Sequence, residues 1–278
     1  VFQDYKNLLS VPEILFICNE LVKSGIDEIR LTGGEPTLRH DLLEIVNKLS
    51  ELPLKKLGLT TNGTRILNLL PEIAKTNCQY LNFSLDSLNS EKFTTITRRP
   101  SFQKVMDSIL KAKELKFTVK INTVLMKGVN SEEIEDFINF SSQHNIEVRF
   151  LELMRIGTAN KRFNEQFISA GEVINFIDKR WDKTSLKVSK DSTSFNYKLS
   201  NNAKIGFIAS ESKPFCTACS RLRLGSDGTL RPCLMVNDGL SLRNKNSLEI
   251  AEVLQKIMPM KPRERIYSVN QDMYQIGG

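Results

Sequence analysis

Glu28-Ile29-Arg30-Leu31-Thr32-Gly33-Gly34-Glu35-Pro36 reads as a short strand that runs into a glycine-rich turn. Upstream, Ser10-Val11-Pro12-Glu13 is a capping box with an early proline. It opens a helix carrying Ile14, Leu15, Ile17, Leu21 and Val22, which Gly25 stops. Downstream, the apolar pattern predicts helices over 40–49, 65–75, 102–115 and 131–143. Strands are predicted over 57–60, 80–85, 118–125 and 147–151. Five strands at crossover-compatible spacing, alternating with helices, argue for parallel βα units. Polar or glycine-containing segments follow the strand ends, as in Thr60-Thr61-Asn62-Gly63 and Ser84-Leu85-Asp86-Ser87. In βα barrels such loops build the active site. The first helix has no strand in front of it, so a preceding strand is expected outside the sequence.

Beyond residue 152 the alternation ends. A helix over 172–181, an antiparallel strand pair over 195–199 and 204–209, a cysteine segment and a helix over 247–257 follow, then the tail Tyr274-Gln275-Ile276-Gly277-Gly278. The expected division is therefore a partial barrel over 1–152 and a C-terminal region over 153–278.

Composition excludes several classes. Apolar residues at 40% and charged residues at 26% suit a globular α/β protein, and no apolar run is long enough for a membrane helix. The net charge of +7 comes without a dense basic run interleaved with aromatics, so no nucleic-acid partner is expected. Val1-Phe2-Gln3-Asp4-Tyr5 lacks the basic and apolar regions of a signal peptide and has no starting Met, so a fragment or processed product is expected. Five unevenly spaced cysteines indicate a reducing compartment, the cytoplasm, and metal or redox chemistry.

Cys216-Thr217-Ala218-Cys219 is a C-x2-C step, and Cys233 returns after the hairpin-like Gly225-Ser226-Asp227-Gly228-Thr229. Three thiolates can hold a metal centre. On spacing alone, zinc with a distant fourth ligand and an iron–sulfur cluster are about level. Cys18 and Cys78 read as small buried hydrophobes. Arg221 and Arg223 alternate in Ser220-Arg221-Leu222-Arg223-Leu224, so an extended segment points both the same way, towards an anion or along an exposed basic edge.

Taken together, Thr32-Gly33-Gly34-Glu35-Pro36, Thr60-Thr61-Asn62-Gly63, Ser84-Leu85-Asp86, the strand at 147–151, the cysteine spacing, the arginine pair and Gly277-Gly278 resemble the radical SAM enzymes. Within them they resemble the GTP 3',8-cyclase (MoaA) family of molybdenum cofactor biosynthesis, almost from end to end. The resemblance implies an α/β fold, a partial (βα)6 TIM-like barrel of the radical SAM type with its first strand missing, and a C-terminal α+β extension. It implies that Gly33, Gly34, Glu35, Ser84 and Met154 contact S-adenosylmethionine. Arg30, Thr60, Lys120, Arg149, Arg221 and Arg223 are implied to contact GTP. For Arg30 and Lys120 the alternative is an internal salt bridge, for example with Glu147 or Glu152, and for Arg149 a role in the fold.

Cys216, Cys219 and Cys233 are implied to ligate a second [4Fe-4S] cluster whose open iron takes the guanine ring, with Gly277 and Gly278 entering the catalytic site. The implied lyase chemistry is radical: a 5'-deoxyadenosyl radical removes the ribose C3' hydrogen of GTP, and the sugar carbon attacks C8. The family's first cluster motif, C-x3-C-x2-C, is not in this sequence and is expected upstream of Val1, so the chain as given is expected to be inactive alone. A reductant, an enzyme that consumes the cyclic pyranopterin precursor, and a homodimer are the implied partners. The competing readings are another radical SAM enzyme with an auxiliary cluster and a zinc-stabilised nucleic-acid-binding protein.

Overall fold

Alternation along the strands decides how the sheet is used. Leu57, Leu59, Leu81, Phe83, Val119, Ile121, Val148 and Phe150 are all buried. Between them stand Gly58, Asn82, Lys120 and Arg149. With a side-chain period of two, one face must be apolar and the other polar. A computed structural model describes residues 8–269 and has this architecture.

In chain order the elements are α1 (Val11–Lys23), β1 (Glu28–Leu31), α2 (Leu42–Ser50), β2 (Lys56–Thr61), the single turn α3 (Leu70–Ile73), β3 (Cys78–Ser84), α4 (Ser90–Thr97) and α5 (Phe102–Glu114). They continue as β4 (Thr118–Leu125), α6 (Ile134–His144), β5 (Glu147–Glu152), the short α7 (Phe163–Gln166), α8 (Ala170–Asp178), β6 (Lys183–Leu186), β7 (Phe195–Leu199) and β8 (Lys204–Ile208). Last come β9 (Arg223–Leu224), β10 (Thr229–Arg231), β11 (Leu240–Ser241) and α9 (Ser247–Ile257). The main sheet has the order β1-β2-β3-β4-β5-β8-β7-β6. Neighbours from β1 to β5 are parallel, β8 is parallel to β5, and β7 and β6 continue antiparallel. This is the open, partial TIM-like barrel that the resemblance implies. The antiparallel pair expected past residue 152 is β7–β8, and it extends the main sheet.

The apolar strand residues join those of α2, α5, α6 and α8 in one core. Cys18 and Cys78 lie in it, and burial pushes both thiols up to about 12, as expected of small hydrophobes. Helix α1 has two buried sides. Val11 and Cys18 face the main core, whereas Ile17 and Leu21 pack with Leu230, Leu242, Ile250, Val253 and Ile257. The small sheet β9–β11 and helix α9 are thereby docked on the outside of α1. Arg243 ties the same junction together, donating to Glu13 at 3.1 Å and to the Leu8 carbonyl at 2.8 Å. The Ser10 capping box is present, with Glu13 answering the Ser10 amide at 2.7 Å.

Some elements differ from expectation. Residues 65–75 form only the turn α3, because Pro71 has no N–H to give a continuous helix and sits where a helix begins. Helix α4 escapes the apolar pattern because Phe93 is its one buried residue. Strand β6 has an almost fully exposed pattern, so it lacks an apolar stripe. No helix among the described residues is long and apolar enough to cross a membrane.

Buried Glu152 closes the end of β5. Its Oε1 accepts the Ala170 N–H at 2.8 Å and the Ser212 hydroxyl, and its Oε2 accepts the Glu211 and Ser212 N–H groups at 2.7 and 2.8 Å. Removing it strands three backbone donors. Glu152→Ala is expected to lower the unfolding free energy by about 3 kcal/mol in a urea titration.

Candidate active site and metal centre

The polar face of the main sheet gathers most of the expected site residues. Register places Arg30 beside Gly58, the row Thr60, Asn82, Lys120 and Glu147 across four strands, and the row Ser84, Asn122, Arg149 and Gly206 beyond it. Two glycines make room. A Cβ on Gly58 would stand 2.8 Å from the Tyr80 carbonyl and 3.0 Å from an Arg30 guanidinium nitrogen. A Cβ on Gly206 would stand 2.8 Å from Asn196 Oδ1 and 3.0 Å from the Arg149 Cγ. Each missing side chain is filled by the cation next to it.

The charges on this face are unequal. Lys120 Nζ lies 3.0 Å from one Glu147 oxygen, and Arg149 Nε lies 2.6 Å from the other. Asn196 Nδ2 donates to Glu147 at 3.3 Å. These are the internal salt bridges weighed as the alternative for Lys120, with Glu147 and not Glu152 as the partner. Among the described residues Arg30 pairs with no carboxylate, and it donates to the Leu59 carbonyl at 3.3 Å. Arg30 is exposed at the edge strand β1. Desolvation, then Arg149 and Arg221, push its guanidinium below the ordinary arginine range. Lys56 and Glu28 neutralise each other at the edge of the face, 3.0 Å apart. The amide oxygens of Asn122 and Asn196 are buried without a hydrogen-bond partner among the described residues. The cationic groups suit an anionic ligand, whereas the two amide oxygens are acceptors that call for a donor.

The glycine turn after β1 is held from inside. Gly33 has φ +149°, and a Cβ there would meet nothing within 4 Å. Glu35 accepts the Thr37 N–H at 3.0 Å, the Thr37 hydroxyl at 2.6 Å, the Thr61 hydroxyl at 2.8 Å and the Asn62 N–H at 2.7 Å. It therefore joins the turn after β1 to the turn after β2. Gly34 and Ser84 are exposed at their strand ends. Met154 lies on the loop after β5 and packs on Ile156, Met235 and Val269, as Cys233 does. Gly277 and Gly278 lie outside the described residues.

The cysteines are brought together by a hairpin. β9 and β10 pair with Arg231 opposite Arg223, and the turn closes where the Gly225 N–H meets the Thr229 carbonyl at 2.8 Å. Cys216 opens a single 3-10 turn, Cys219 follows it, and Cys233 lies just past β10. Lys261 seals this end, donating to the Arg221 carbonyl at 2.5 Å and the Pro232 carbonyl at 2.9 Å. All three thiols are half-buried. Burial and the neighbouring Cys233 raise the Cys216 thiol, with Arg265 opposing. Burial also opposes ionisation of Cys219, but the Arg221 N–H and guanidinium, with Lys261, hold it below its usual value. Burial and then Arg221 push Arg223 down to about 10, while Cys233 and Cys219 pull it up. The Met235 N–H donates to the Cys233 sulfur at 3.4 Å. Among the described residues, no group of three or more His, Cys, Asp or Glu is arranged to hold a single metal ion. Three half-buried thiols among cations, one already receiving a backbone N–H, are suited to thiolate ligation.

Comparison with known proteins follows this geometry. The model of the Radical SAM superfamily matches residues 2–141, and that of Molybdenum Cofactor Synthesis C matches residues 146–266. A GTP 3',8-cyclase of Synechocystis sp. is 43% identical over 278 residues, covering 100% of this chain and 85% of that protein. The chain belongs to the GTP 3',8-cyclase family of radical SAM proteins. A GTP 3',8-cyclase of Clostridium botulinum is 35% identical, covering 100% of this chain and 90% of its own length. Molybdenum cofactor biosynthesis protein 1 of Bos taurus is 39% identical over 86% of this chain, which spans only 38% of that protein. Streptococcus suis SuiB bound to S-adenosylmethionine shares the fold, with a TM-score of 0.62 at 18% identity over 87% of this chain and 58% of that one. Membership of the superfamily implies S-adenosylmethionine and a [4Fe-4S] cluster as cofactors.

Several site residues escape reading from sequence. Asn82, Asn122 and Asn196 share the strand parity of the cations, so alternation could have found the first two. Gly206, Lys261 and Arg265 carry no such signal. Gly58→Ala is expected to destabilise the fold by about 1–3 kcal/mol through overpacking against the Tyr80 carbonyl. It should also displace the Arg30 guanidinium, read as a loss of nucleotide affinity with α/β secondary structure intact by circular dichroism.

Proposed function

We propose that this chain is a GTP 3',8-cyclase, a lyase of molybdenum cofactor biosynthesis, with residues 1–152 as the main part of its barrel, whose sheet β6–β8 extend, and 153–278 carrying the auxiliary-cluster region and further substrate contacts. The observation that carries the reading is the presence in one chain of three half-buried thiols flanked by Arg221 and of a sheet face that carries Arg30, Lys120 and Arg149. A nucleoside triphosphate needs both ends served. Arg30, Lys120 and Arg149, with Thr60, bind the phosphates and sugar, while Arg221 and Arg223 steady the purine end beside the cluster. Cys216, Cys219 and Cys233 hold a second [4Fe-4S] cluster, and the Met235 N–H and the surrounding cations offset its negative charge. Gly33, Gly34, Glu35, Ser84 and Met154 border S-adenosylmethionine at the strand ends, and Gly277 and Gly278 reach the same space. S-adenosylmethionine, when bound with a reduced cluster, supplies hydrogen-atom abstraction, and the protein supplies positioning, charge pairing and exclusion of water. A cytoplasmic setting, an external reductant, an enzyme that takes up the pyranopterin precursor and a homodimer complete the proposal.

Anaerobic reconstitution with iron and sulfide tests it. The full chain is expected to bind about four irons and four sulfides, and Cys216→Ala, Cys219→Ala or Cys233→Ala to lose them. Arg221→Ala and Arg223→Ala should each weaken GTP binding by about 10–100-fold. Zinc without iron or sulfide, or GTP affinity unmoved by either arginine, would overturn the assignment.

A further inference from the structure

Two cations and one carboxylate share the middle of the sheet face, and their geometry is asymmetric. Glu147 Oε1 receives Lys120 at 3.1 Å, Arg149 Nε at 2.6 Å and Asn196 Nδ2 at 3.3 Å, and its Oε2 receives Lys120 at 3.0 Å. The Arg149 nitrogen it holds is the inner one. The two terminal guanidinium nitrogens have no hydrogen-bonding partner among the described residues. With side chains only 16–23% exposed, this cluster is not a surface ion pair, and its members need the partners they have.

We propose that Glu147 is a positioning residue that holds Lys120 and Arg149 side by side, with the Arg149 fork turned outward, as a preset cradle for a polyphosphate. This rests on the reading of the face as a nucleotide site and deepens it. Without the carboxylate, two like charges at this spacing repel, and the chains splay or the ammonium loses its proton. Burial, Arg149 and Lys56 push Lys120 below the ordinary lysine range, and Glu147 pulls it back. The groups around Lys120 are Glu147 and Arg149 on β5, Tyr80 and Asn82 on β3, Asn196 on β7 and Lys56 on β2, itself paired with Glu28, with Arg30 on β1 beyond. Glu147 is thus the carboxylate that bonds to Lys120. Gln at this position keeps the shape and loses the charge.

The test measures binding of GTP, guanosine and inorganic tripolyphosphate to the reconstituted full chain across pH. In Glu147→Gln, GTP and tripolyphosphate affinity should fall about tenfold near neutrality, with the deficit growing as pH rises, while guanosine affinity moves less than about twofold. Adding Lys120→Arg should remove the pH-dependent part, because arginine keeps its proton. Glu147→Asp, which keeps the charge at shorter reach, should retain the wild-type pH profile with a smaller loss, and it serves if the Gln variant fails to fold. Equal or tighter tripolyphosphate binding with an unchanged pH profile in both variants overturns the role of Glu147. Wild-type protein that binds tripolyphosphate but prefers it to GTP overturns the guanine reading while leaving Glu147 tested. Wild-type protein that binds neither overturns both.

Discussion

A charged residue on the inner strand of a sheet must be answered within reach, and in this protein that requirement falls on Glu147. Arg149 stands one pleat along the same strand, and Lys120 stands directly across from it on β4. An interior of Val, Ile and Leu would fill such a barrel as an ordinary packed core. Here the positions on the other face are Arg30, Asn82, Lys120, Asn122, Glu147 and Arg149, so that face is polar. That arrangement is tolerable because the outer face carries the hydrophobic burial alone. Leu57, Leu59, Leu81, Phe83, Ile121, Val148 and Phe207 are almost completely buried beneath the helices. Apolar burial and charge are therefore divided between opposite faces of the same strands.

The second constraint is how the cysteine hairpin is held in place. Its strands are two and three residues long and could not hold a fixed position alone. Leu230 and Leu242 are buried against Ile17 and Leu21 of α1, and α9 packs on the same group. The Leu9 N–H donates to the Ser226 carbonyl at 2.7 Å, adding a backbone link. Helix α1 thus carries the barrel core on one side and the thiol-bearing hairpin on the other. A small displacement of α1 would be felt at both the sheet and the three thiols.

Legibility in the sequence follows the same division. The outer face was readable because its apolar residues recur with a fixed period, which is why β1, β4, β7 and α9 were bounded to within a residue. The hairpin at Gly225–Thr229 was readable from turn chemistry. Residues 65–75 were not, since an apolar pattern cannot show that Pro71 begins a helix and does not continue one. The inner face was only half legible. Arg30 and Lys120 stood out as costly charges on strands, but their different fates depended on register. Lys120 lies opposite Glu147, and Arg30 lies opposite Gly58. Glu35 shows the opposite difficulty. Its motif drew attention to a ligand, whereas its oxygens also brace two turns.

That double use of Glu35 suggests how the strand-end loops and the inner face act together. A carboxylate that accepts four protein donors is fixed before any ligand arrives, and so are Thr61 and Asn62, which it holds. Thr61 is the neighbour of Thr60, whose side chain belongs to the inner row with Asn82 and Lys120. The position of Thr60 is therefore set from above by Glu35, and that of Lys120 from across the sheet by Glu147. Preorganisation of this kind lowers the entropy lost when any ligand is held against several strands at once. Both acidic residues bond to protein groups, Glu35 to hydroxyls and backbone amides and Glu147 to two cations, and so keep those groups aimed.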